Sequence, residues 1–123
     1  MYRDGMDETS AGPGAVRLVH DDDRDRYVAL DGETVVGVLY YGDDTPGPPE
    51  RPAVRDLRST VVAPDRGGRG VGSALVRFAL EDIRARDLSV RPTCWFVRGW
   101  IERHPEFAPL LGRPDTSEED EKP

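Results

Sequence analysis

Apolar and polar positions alternate along the first half of the chain, whereas apolar positions recur every three or four residues in much of the second half. Alternation predicts strands, because successive side chains of a strand point to opposite faces of a sheet. Recurrence at three and four predicts a helix with one buried face. The predicted strands are Ala15–Val19, Arg26–Leu30, Thr34–Tyr41, Val54–Ala63 and Leu88–Arg91, and the predicted helices are Val71–Arg86 and Cys94–Arg103.

The first half contains a strong hairpin signal at Asp31-Gly32, a pair that favours a tight turn between antiparallel strands. The strand that follows, Thr34–Tyr41, is apolar almost throughout, which predicts a central strand covered on both faces. Gly37 interrupts this strand and indicates a β-bulge or the close approach of another element. Residues 42–53 carry four prolines and predict a loop.

The first helix has a polar stripe at Ser73, Arg77, Glu81 and Arg84, and its opposite face is widely apolar. A wide apolar face predicts a helix that lies flat on a sheet. Arg77 and Glu81 are four residues apart, so we expect a weak ion pair between them.

The second helix has Thr93 as its predicted N-cap and is stopped by His104-Pro105. The apolar patch Phe107–Leu111 is expected to fold back on the sheet. The order of antiparallel strands followed by strand, helix, strand and helix predicts a mixed, mainly antiparallel α/β fold. A parallel strand pair should flank the first helix.

A chain of 123 residues predicts one domain. We assign residues 15–112 to it, residues 1–14 to a disordered leader and residues 113–123 to an acidic disordered tail. The run His20-Asp21-Asp22-Asp23 predicts a solvated acidic turn, because its spacing does not fit an EF-hand calcium loop, and no metal site is expected.

The net charge is −7, although residues 55–103 carry ten arginines against six acidic residues. This balance suits an anionic ligand and argues against broad nucleic-acid binding. The single cysteine, Cys94, excludes an intrachain disulfide, and no apolar run is long enough to cross a membrane. We therefore expect a cytoplasmic protein that binds neither nucleic acid nor membrane.

The stretch Pro64–Leu75 joins a strand to the first helix and contains four glycines between Gly67 and Gly72, with Arg66 and Arg69 beside them. Free backbone N–H groups at such a helix start form an anion site, and the alternative is a tight turn without a ligand. The spacing fails the dinucleotide fingerprint, and Ser73 stands where a phosphate-binding loop requires lysine.

Two motifs carry a resemblance to a known family. Val62-Ala63-Pro64 followed by Arg69-Gly70-Val71-Gly72-Ser73-Ala74-Leu75 resembles the acetyl-CoA signature of the GNAT acetyltransferase superfamily. Pro92-Thr93-Cys94 and Arg103-His104-Pro105-Glu106-Phe107 look like the short branch of that superfamily. The resemblance implies a reduced GNAT fold, because the two helices that usually follow the first strand have no room between Val19 and Arg26.

The resemblance also implies acetyl-CoA, or another acyl-CoA, as cosubstrate. Its pyrophosphate would lie on the backbone amides of Gly68 to Ser73, and its pantetheine would lie beside Thr60 to Val62. A backbone N–H near Val62 would polarise the thioester carbonyl. The implied cofactor-binding residues are Thr60, Val61, Val62, Arg66, Gly67, Gly68, Arg69, Gly70, Val71, Gly72 and Ser73.

Cys94 is the candidate catalytic residue, because a thiol at a helix start has a lowered pKa. It could protonate the departing CoA thiolate or accept the acyl group itself; the alternative is a buried small apolar residue. His104 is interpreted as a capping residue rather than a base, and Glu102 as solvated. Trp95 and Trp100 are expected to pack.

The favoured function is an acetyl-CoA-dependent N-acetyltransferase acting on a small or protein amine. Two other hypotheses stay open: an acyl-CoA-binding carrier or sensor with little transferase activity, and an interaction domain that has lost the ligand. The sequence does not identify the acceptor amine.

Overall fold

The computed structural model describes residues 9–11, 16–44, 53–66 and 70–111. Within these residues the chain forms one six-stranded sheet, two α-helices and three 3₁₀ segments. The strands are β1 (Thr9–Ala11), β2 (Arg17–Asp21), β3 (Arg26–Asp31), β4 (Thr34–Asp44), β5 (Val54–Val62) and β6 (Ser89–Pro92). The helices are α1 (Val71–Ala85) and α2 (Trp95–Arg103), with 3₁₀ segments at Asp22–Arg24, Pro64–Arg66 and Pro105–Leu111.

The strand order in the sheet follows the order in the chain. Strands β1 to β5 pair antiparallel with their neighbours, and β6 pairs parallel with β5 after the α1 crossover. This confirms the predicted mixed, mainly antiparallel sheet with a parallel pair around the first helix.

The hairpin between β3 and β4 turns at Gly32-Glu33, with Asp31 paired to Thr34. The turn therefore lies one residue later than the predicted Asp31-Gly32 pair. Gly32 has a φ of 65°, a left-handed conformation that glycine adopts without strain.

Gly37 lies both beside a β-bulge and at the close approach of another element, the two alternatives that the sequence predicted. The register between β3 and β4 shifts beside it. Helix α1 also crosses it closely, because a Cβ added at Gly37 would lie 2.9 Å from Cγ1 of Val71 and 3.1 Å from Cδ1 of Leu75. The glycine thus lets α1 approach the centre of the sheet.

Both helices contribute to one hydrophobic core with β2 to β6. Their buried residues include Val71, Leu75, Val76, Phe78, Ala79, Leu80, Ile83, Val97, Trp100 and Ile101. A second buried cluster consists of Val19, Val28, Leu30 and Val38. Since Val38 alternates with Leu39 of the main core along β4, the two clusters lie on opposite faces, which confirms β4 as a strand covered on both sides.

Three stretches differ from the predictions. Thr9–Ala11 lie inside the predicted disordered leader, but they form an edge strand on β2. His20 and Asp21 were assigned to a solvated turn, yet they belong to β2 and are buried. Strand β4 continues to Asp44, into the predicted loop. The remainder of that loop (45–52), residues 1–8 and 12–15, and the predicted acidic tail lie outside the described residues.

The segment after α2 behaves as predicted. Pro105–Leu111 forms a 3₁₀ segment, and Phe107 is buried in the main core beside Trp100, with ring centroids 5.5 Å apart. None of the described helices is long and apolar enough to cross a membrane. The described residues also contain no cluster of three or more potential metal ligands.

Candidate cofactor and active site

The glycine-rich loop lies where β5 leads into α1. Gly70 is the N-cap of α1 and has a φ of 82°, and no side chain caps the helix there. A residue with a Cβ would be strained in this left-handed conformation, so the backbone requires glycine. Gly67, Gly68 and Arg69, which were predicted to bind the cofactor, lie outside the described residues, as does the side chain of Arg66.

The first turn of α1 is packed closely. Val71 is buried in the main core. A Cβ added at Gly72 would lie 3.2 Å from the ring of Phe96 on α2 and 3.7 Å from Cγ2 of Val62. The backbone N–H groups of Val71, Gly72 and Ser73 have no acceptor within the helix, and the positive end of the helix dipole adds to them. This fixed set of donors suits an anion.

Ser73 has a second role that the sequence did not indicate. Its Oγ accepts a hydrogen bond of 2.7 Å from Nε1 of Trp100. Trp100 is buried, and its ring stacks on His104 with centroids 3.7 Å apart. The hydroxyl of Ser73 therefore connects α1 to α2. The backbone N–H of Ser73 still belongs to the set of donors at the start of α1.

Strand β5 has one open edge near the glycine-rich loop. Strand β6 pairs with β5 only between Val54 and Leu57. The N–H of Cys94 then donates to the C=O of Leu57 at 2.9 Å, and the chain turns into α2. Among the described residues, no strand covers this edge of β5 from Ser59 to Val62.

The hydrogen-bond register shows which backbone groups face the open edge. The N–H of Ala63 donates to the C=O of Val36 at 2.9 Å, and antiparallel bonding alternates from one residue to the next. The N–H groups of Thr60 and Val62 therefore point away from β4, toward the open edge. The backbone of Val61 points to β4, and its side chain is 57% exposed.

Cys94 is the N-cap residue of α2 rather than a first-turn residue, and its side chain is buried. Its Sγ lies 3.6 Å from Oγ1 of Thr60. Burial acts to raise the pKa of the Cys94 thiol, but the Thr60 hydroxyl and the backbone N–H groups of Val97, Phe96 and Thr60 outweigh burial and lower the pKa. The N–H contacts fall short of N-cap hydrogen-bond geometry, so they favour the thiolate mainly as dipoles.

Thr93 does not cap α2, so that prediction is wrong. Its Oγ1 instead donates to Oδ1 of Asp56 on β5. Asp56 is also paired with Arg58 and Arg91. This contact holds the turn before Cys94 against β5. The sequence pattern did not single out Asp56, because Thr93 lies 37 residues away along the chain.

Among the other candidate side chains near α2, three agree with the predictions and one does not. Nδ1 of His104 lies 2.8 Å from the C=O of Trp100, and since a carbonyl only accepts, Nδ1 carries the proton. This confirms His104 as a capping residue. Trp100 packs and Glu102 is exposed, as predicted, whereas the prediction for Trp95 is wrong because its side chain is 79% exposed.

A buried polar network that the sequence analysis missed begins at His20. Nε2 of His20 lies 2.7 Å from the hydroxyl of Tyr41, and Nδ1 lies 3.3 Å from the guanidinium of Arg86 and 3.6 Å from Asp82. Because arginine only donates, Nδ1 accepts and Nε2 carries the proton toward Tyr41. Burial lowers the pKa of His20, which favours the neutral form of the ring.

The same network continues through Arg55. The hydroxyl of Tyr27 donates to Asp82 at 2.8 Å and accepts from Arg55 at 2.9 Å. Arg55 also makes two hydrogen bonds to Asp43, at 2.7 and 2.9 Å. The network thus ties the sheet to the C-terminal half of α1, at the end of the helix opposite the glycine-rich loop.

Comparisons with known proteins find a matching family model and related sequences. A family model described as GCN5-related N-acetyl-transferase matches residues 26–110. Protein NATD1 of Mus musculus is 30% identical over 93 residues, which cover 75% of this chain and 79% of that protein. Protein NATD1 of Xenopus tropicalis is 28% identical over 106 residues, which cover 83% of this chain and 85% of that protein.

A solved structure shows the same fold. The crystal structure of ribosomal-protein-alanine N-acetyltransferase from Brucella melitensis biovar Abortus 2308 superposes with a TM-score of 0.54 and 19% identity. The match covers 63% of this chain and 58% of that chain. At this identity the likeness concerns the fold alone.

Proposed function

Because the chain belongs to the GCN5-related N-acetyltransferase family, we propose that it transfers an acetyl group from acetyl-CoA to an amine at the junction of β5, α1 and α2. Acyl transfer is the general activity of the family. Acetyl-CoA as the donor, and the residues that bind it, are the finer points of the proposal. The open edge of β5 beside the left-handed Gly70 is the observation that carries it.

The residues at this junction fit an acyl-CoA. The backbone amides from Gly68 to Ser73 would hold the pyrophosphate, and Gly70 to Ser73 lie at the start of α1 as this requires. The open edge from Thr60 to Val62 would pair with the amide-containing pantetheine arm in the manner of an added strand. The absence of a Cβ at Gly72 keeps the start of α1 close to Phe96.

The reaction needs a hydrogen-bond donor to the thioester oxygen and a proton donor to the departing sulfur. In the transfer a C–N bond to the amine replaces the C–S bond of the thioester. Negative charge develops on the carbonyl oxygen in the transition state. The N–H of Val62 points to the open edge, where it would donate to that oxygen. The departing CoA sulfur needs a proton, and the Cys94 thiol, with its lowered pKa, would supply it. The proton that the amine nitrogen loses would then restore the thiol.

The thiol of Cys94 offers a second route, in which it takes the acetyl group from the thioester and passes it to the amine. Mass spectrometry after incubation with acetyl-CoA separates the routes. A stable acetyl mark on Cys94 supports the covalent route, whereas an unmodified protein that still acetylates amines removes it. A Cys94→Ser variant with undiminished activity would show that neither route uses this thiol.

The binding proposal is tested by calorimetric titration with acetyl-CoA, using two glycines as a matched pair. Gly70 and Gly32 both have a positive φ, of 82° and 65°, but only Gly70 lies at the proposed site. Each alanine variant should lose about 1–2 kcal/mol of stability through left-handed strain. We expect Gly70→Ala to weaken acetyl-CoA binding and Gly32→Ala to bind like the wild type.

The wild type should bind acetyl-CoA with a dissociation constant of roughly 1 µM to 1 mM, the range of KM values that is usual for enzyme substrates. No measurable binding at millimolar acetyl-CoA would overturn the proposal and favour an interaction domain. Binding without CoA release in the presence of any amine of a broad panel would favour a carrier or sensor. The panel of amines also identifies the acceptor class if CoA is released.

A further inference from the structure

His20 is a buried titratable side chain that the proposed reaction does not use. Its ring is 1% exposed and stacks on Tyr27, with ring centroids 4.6 Å apart. Nε2 of the ring donates to Tyr41 and Nδ1 accepts from Arg86, so both ring nitrogens are in use while the ring is neutral. A proton that binds to this ring in the folded protein must therefore bind at Nδ1.

Charged and titratable groups from the elements packed around the ring face His20. They are Asp22 of the 3₁₀ segment after β2, Tyr27 of β3, Tyr41 of β4, Arg55 of β5, and Asp82 and Arg86 of α1. The two aspartates favour a charged ring, whereas burial and the two arginines oppose it. Burial is the largest of these effects and lowers the pKa of His20, so the ring takes up its proton below the ordinary value of 6.5.

The Arg86 guanidinium lies where a proton on Nδ1 of His20 would point. Nη2 of Arg86 is 3.3 Å from Nδ1, and Nε of Arg86 is 2.8 and 2.9 Å from the two carboxylate oxygens of Asp82. Oδ2 of Asp82 is itself 3.6 Å from Nδ1. A protonated Nδ1 would face a second donor and a like charge in Arg86, but an opposite charge in Asp82. The Arg86 side chain is 47% exposed, so it can turn outward into solvent.

The C-terminal turn of α1 (residues 86–88) leads from the helix to β6. The N–H groups of Arg86, Asp87 and Leu88 donate back to carbonyls of α1 at 3.0, 3.1 and 3.0 Å. Asp87 has a φ of 61°, a left-handed conformation that costs free energy in a residue with a Cβ. The turn therefore depends on side-chain contacts beside it, and the contacts of Arg86 with Asp82 and His20 are of this kind.

We infer that His20 is a pH-sensitive switch that holds the C-terminal turn of α1 while its ring is neutral. In that state Nδ1 of His20 and the carboxylate of Asp82 together bind Arg86. When Nδ1 takes up a proton from solvent, the imidazolium replaces Arg86 as the partner of Asp82, and the guanidinium moves into solvent. The backbone hydrogen bonds of residues 86–88 then lose the side-chain contact that fixes them.

Helix spacing alone does not make such a contact in α1. Arg77 and Glu81 are four residues apart, but their predicted ion pair is not formed in the described part of the chain. The Cζ atom of Arg77 lies instead over the ring of Trp100, 5.2 Å from its centroid. Asp82 and Arg86 have the same spacing and do pair, with His20 as the additional partner of the guanidinium.

Hydrogen exchange of backbone amides, followed by NMR, tests the switch. Protection factors, which correct for the intrinsic effect of pH, are compared at pH 7 and at a lower pH where the His20 ring is protonated. We expect the amides of residues 86–88 to lose protection about tenfold, as the loss of one charge-assisted contact predicts. The loss should not occur in His20→Gln, which has no ring to protonate.

His104 is the internal control, because it is the other histidine of the chain. Its Nδ1 donates to the C=O of Trp100, and this hydrogen bond exists in both protonation states of the ring. The backbone N–H groups of His104 and Phe107 also donate within this region. These two amides should keep their protection over the same change of pH.

Two arginine variants test the competition between Arg86 and the proton. Arg86→Met removes a like charge and a donor from Nδ1, so the NMR titration midpoint of His20 should rise, and residues 86–88 should be weakly protected at both pH values. Arg84→Met is the matched control in the last turn of α1, because the Cζ atom of Arg84 lies over the ring of Phe107, 4.7 Å from its centroid. It should leave the His20 midpoint unchanged.

Four results would overturn the inference. In the first, His20 stays neutral until the protein unfolds. In the second, His20 titrates while residues 86–88 keep their protection. In the third, the amides of β4 lose protection by the same factor, which assigns the effect to the whole fold. In the fourth, the His20 midpoint is the same in Arg86→Met as in the wild type, which shows that Arg86 does not compete with the proton.

Discussion

Replacement of Gly37 by alanine tests whether the close approach of α1 to the sheet positions the proposed cofactor site. The added Cβ would lie 2.9 Å from Cγ1 of Val71, 3.1 Å from Cδ1 of Leu75 and 3.6 Å from Cβ of Ala29. Val71 is β-branched, so its methyl group cannot rotate away without leaving its preferred rotamer. Helix α1 must therefore move outward at its first residue.

The loss of folding stability in the Gly37→Ala variant follows from two opposing effects. Overpacking of a well-filled core by one carbon costs about 2 kcal/mol, and alanine in place of glycine in a strand returns about 0.5 kcal/mol. The net loss of about 1.5 kcal/mol corresponds to a melting temperature lower by roughly 6 °C for a domain of this size. Since Val71 begins α1, acetyl-CoA binding should also weaken.

Urea unfolding followed by circular dichroism measures the loss, and calorimetry measures the binding. Gly99→Ala is the control, because a Cβ at Gly99 in α2 would meet only the end of Arg103 at an ordinary 3.5 Å. That variant should gain about 0.5–1 kcal/mol from helix propensity. A Gly37→Ala variant as stable as the wild type, with unchanged binding, would refute the argument that Gly37 positions α1.

Two further predictions concern titrating groups. Thr60→Val removes a hydroxyl that lowers the pKa of Cys94. The thiolate absorbance of this single cysteine should therefore appear at higher pH than in the wild type. An unchanged midpoint of the thiol titration would show that the Thr60 hydroxyl does not lower this pKa. His20 has a folded-state pKa below its ordinary 6.5, so protonation favours the unfolded chain and stability falls as the pH drops below about 6.5. His20→Gln should lessen this slope between pH 7 and pH 5 in urea titrations, and equal slopes in both proteins would show that His20 does not titrate on unfolding.

The sequence was sufficient wherever the deciding interactions are local. The period of α1, the run of apolar residues in β4 and the break at Pro64 depend on residues within a few positions of one another, and the structure confirms them. The close contact at Gly37 was also expected, because a glycine inside a strand pattern usually marks a bulge or the close approach of another part of the chain.

The sequence failed where the partner of a polar residue is far away along the chain. His20 and Asp21 follow the pattern of a charged turn, but partners such as Tyr41, Asp82 and Arg26 allow them to be buried in a strand. Such a pairing depends on the completed sheet and has no local signal. The wrong capping role for Thr93 has the same cause, because its partner Asp56 lies on another strand.

The candidate site was predictable in its backbone and less so in its side chains. The left-handed Gly70 and the helix start at Val71 agree with the glycine pattern. The hydroxyl of Ser73, however, is occupied by Trp100, and Trp95 is exposed rather than packed. The binding and catalytic roles of all the candidate residues remain predictions, and Gly67, Gly68 and Arg69 also lie outside the described part of the chain.

Strand β5 shows how so small a chain can align the groups that we propose for acyl transfer. It presents the N–H of Val62 at its open edge, contacts the thiol of Cys94 through Thr60, and fixes the backbone of Cys94 through the carbonyl of Leu57.

Helix α1 is held to the same sheet at both ends, by Val71 over Gly37 and by Asp82 in the polar network with Arg55. A shift of the proposed phosphate site relative to the thiol would therefore break contacts at one end of the helix or at β5. This coupling would keep the proposed site preorganised, which is the condition under which a few fixed donors accelerate a reaction.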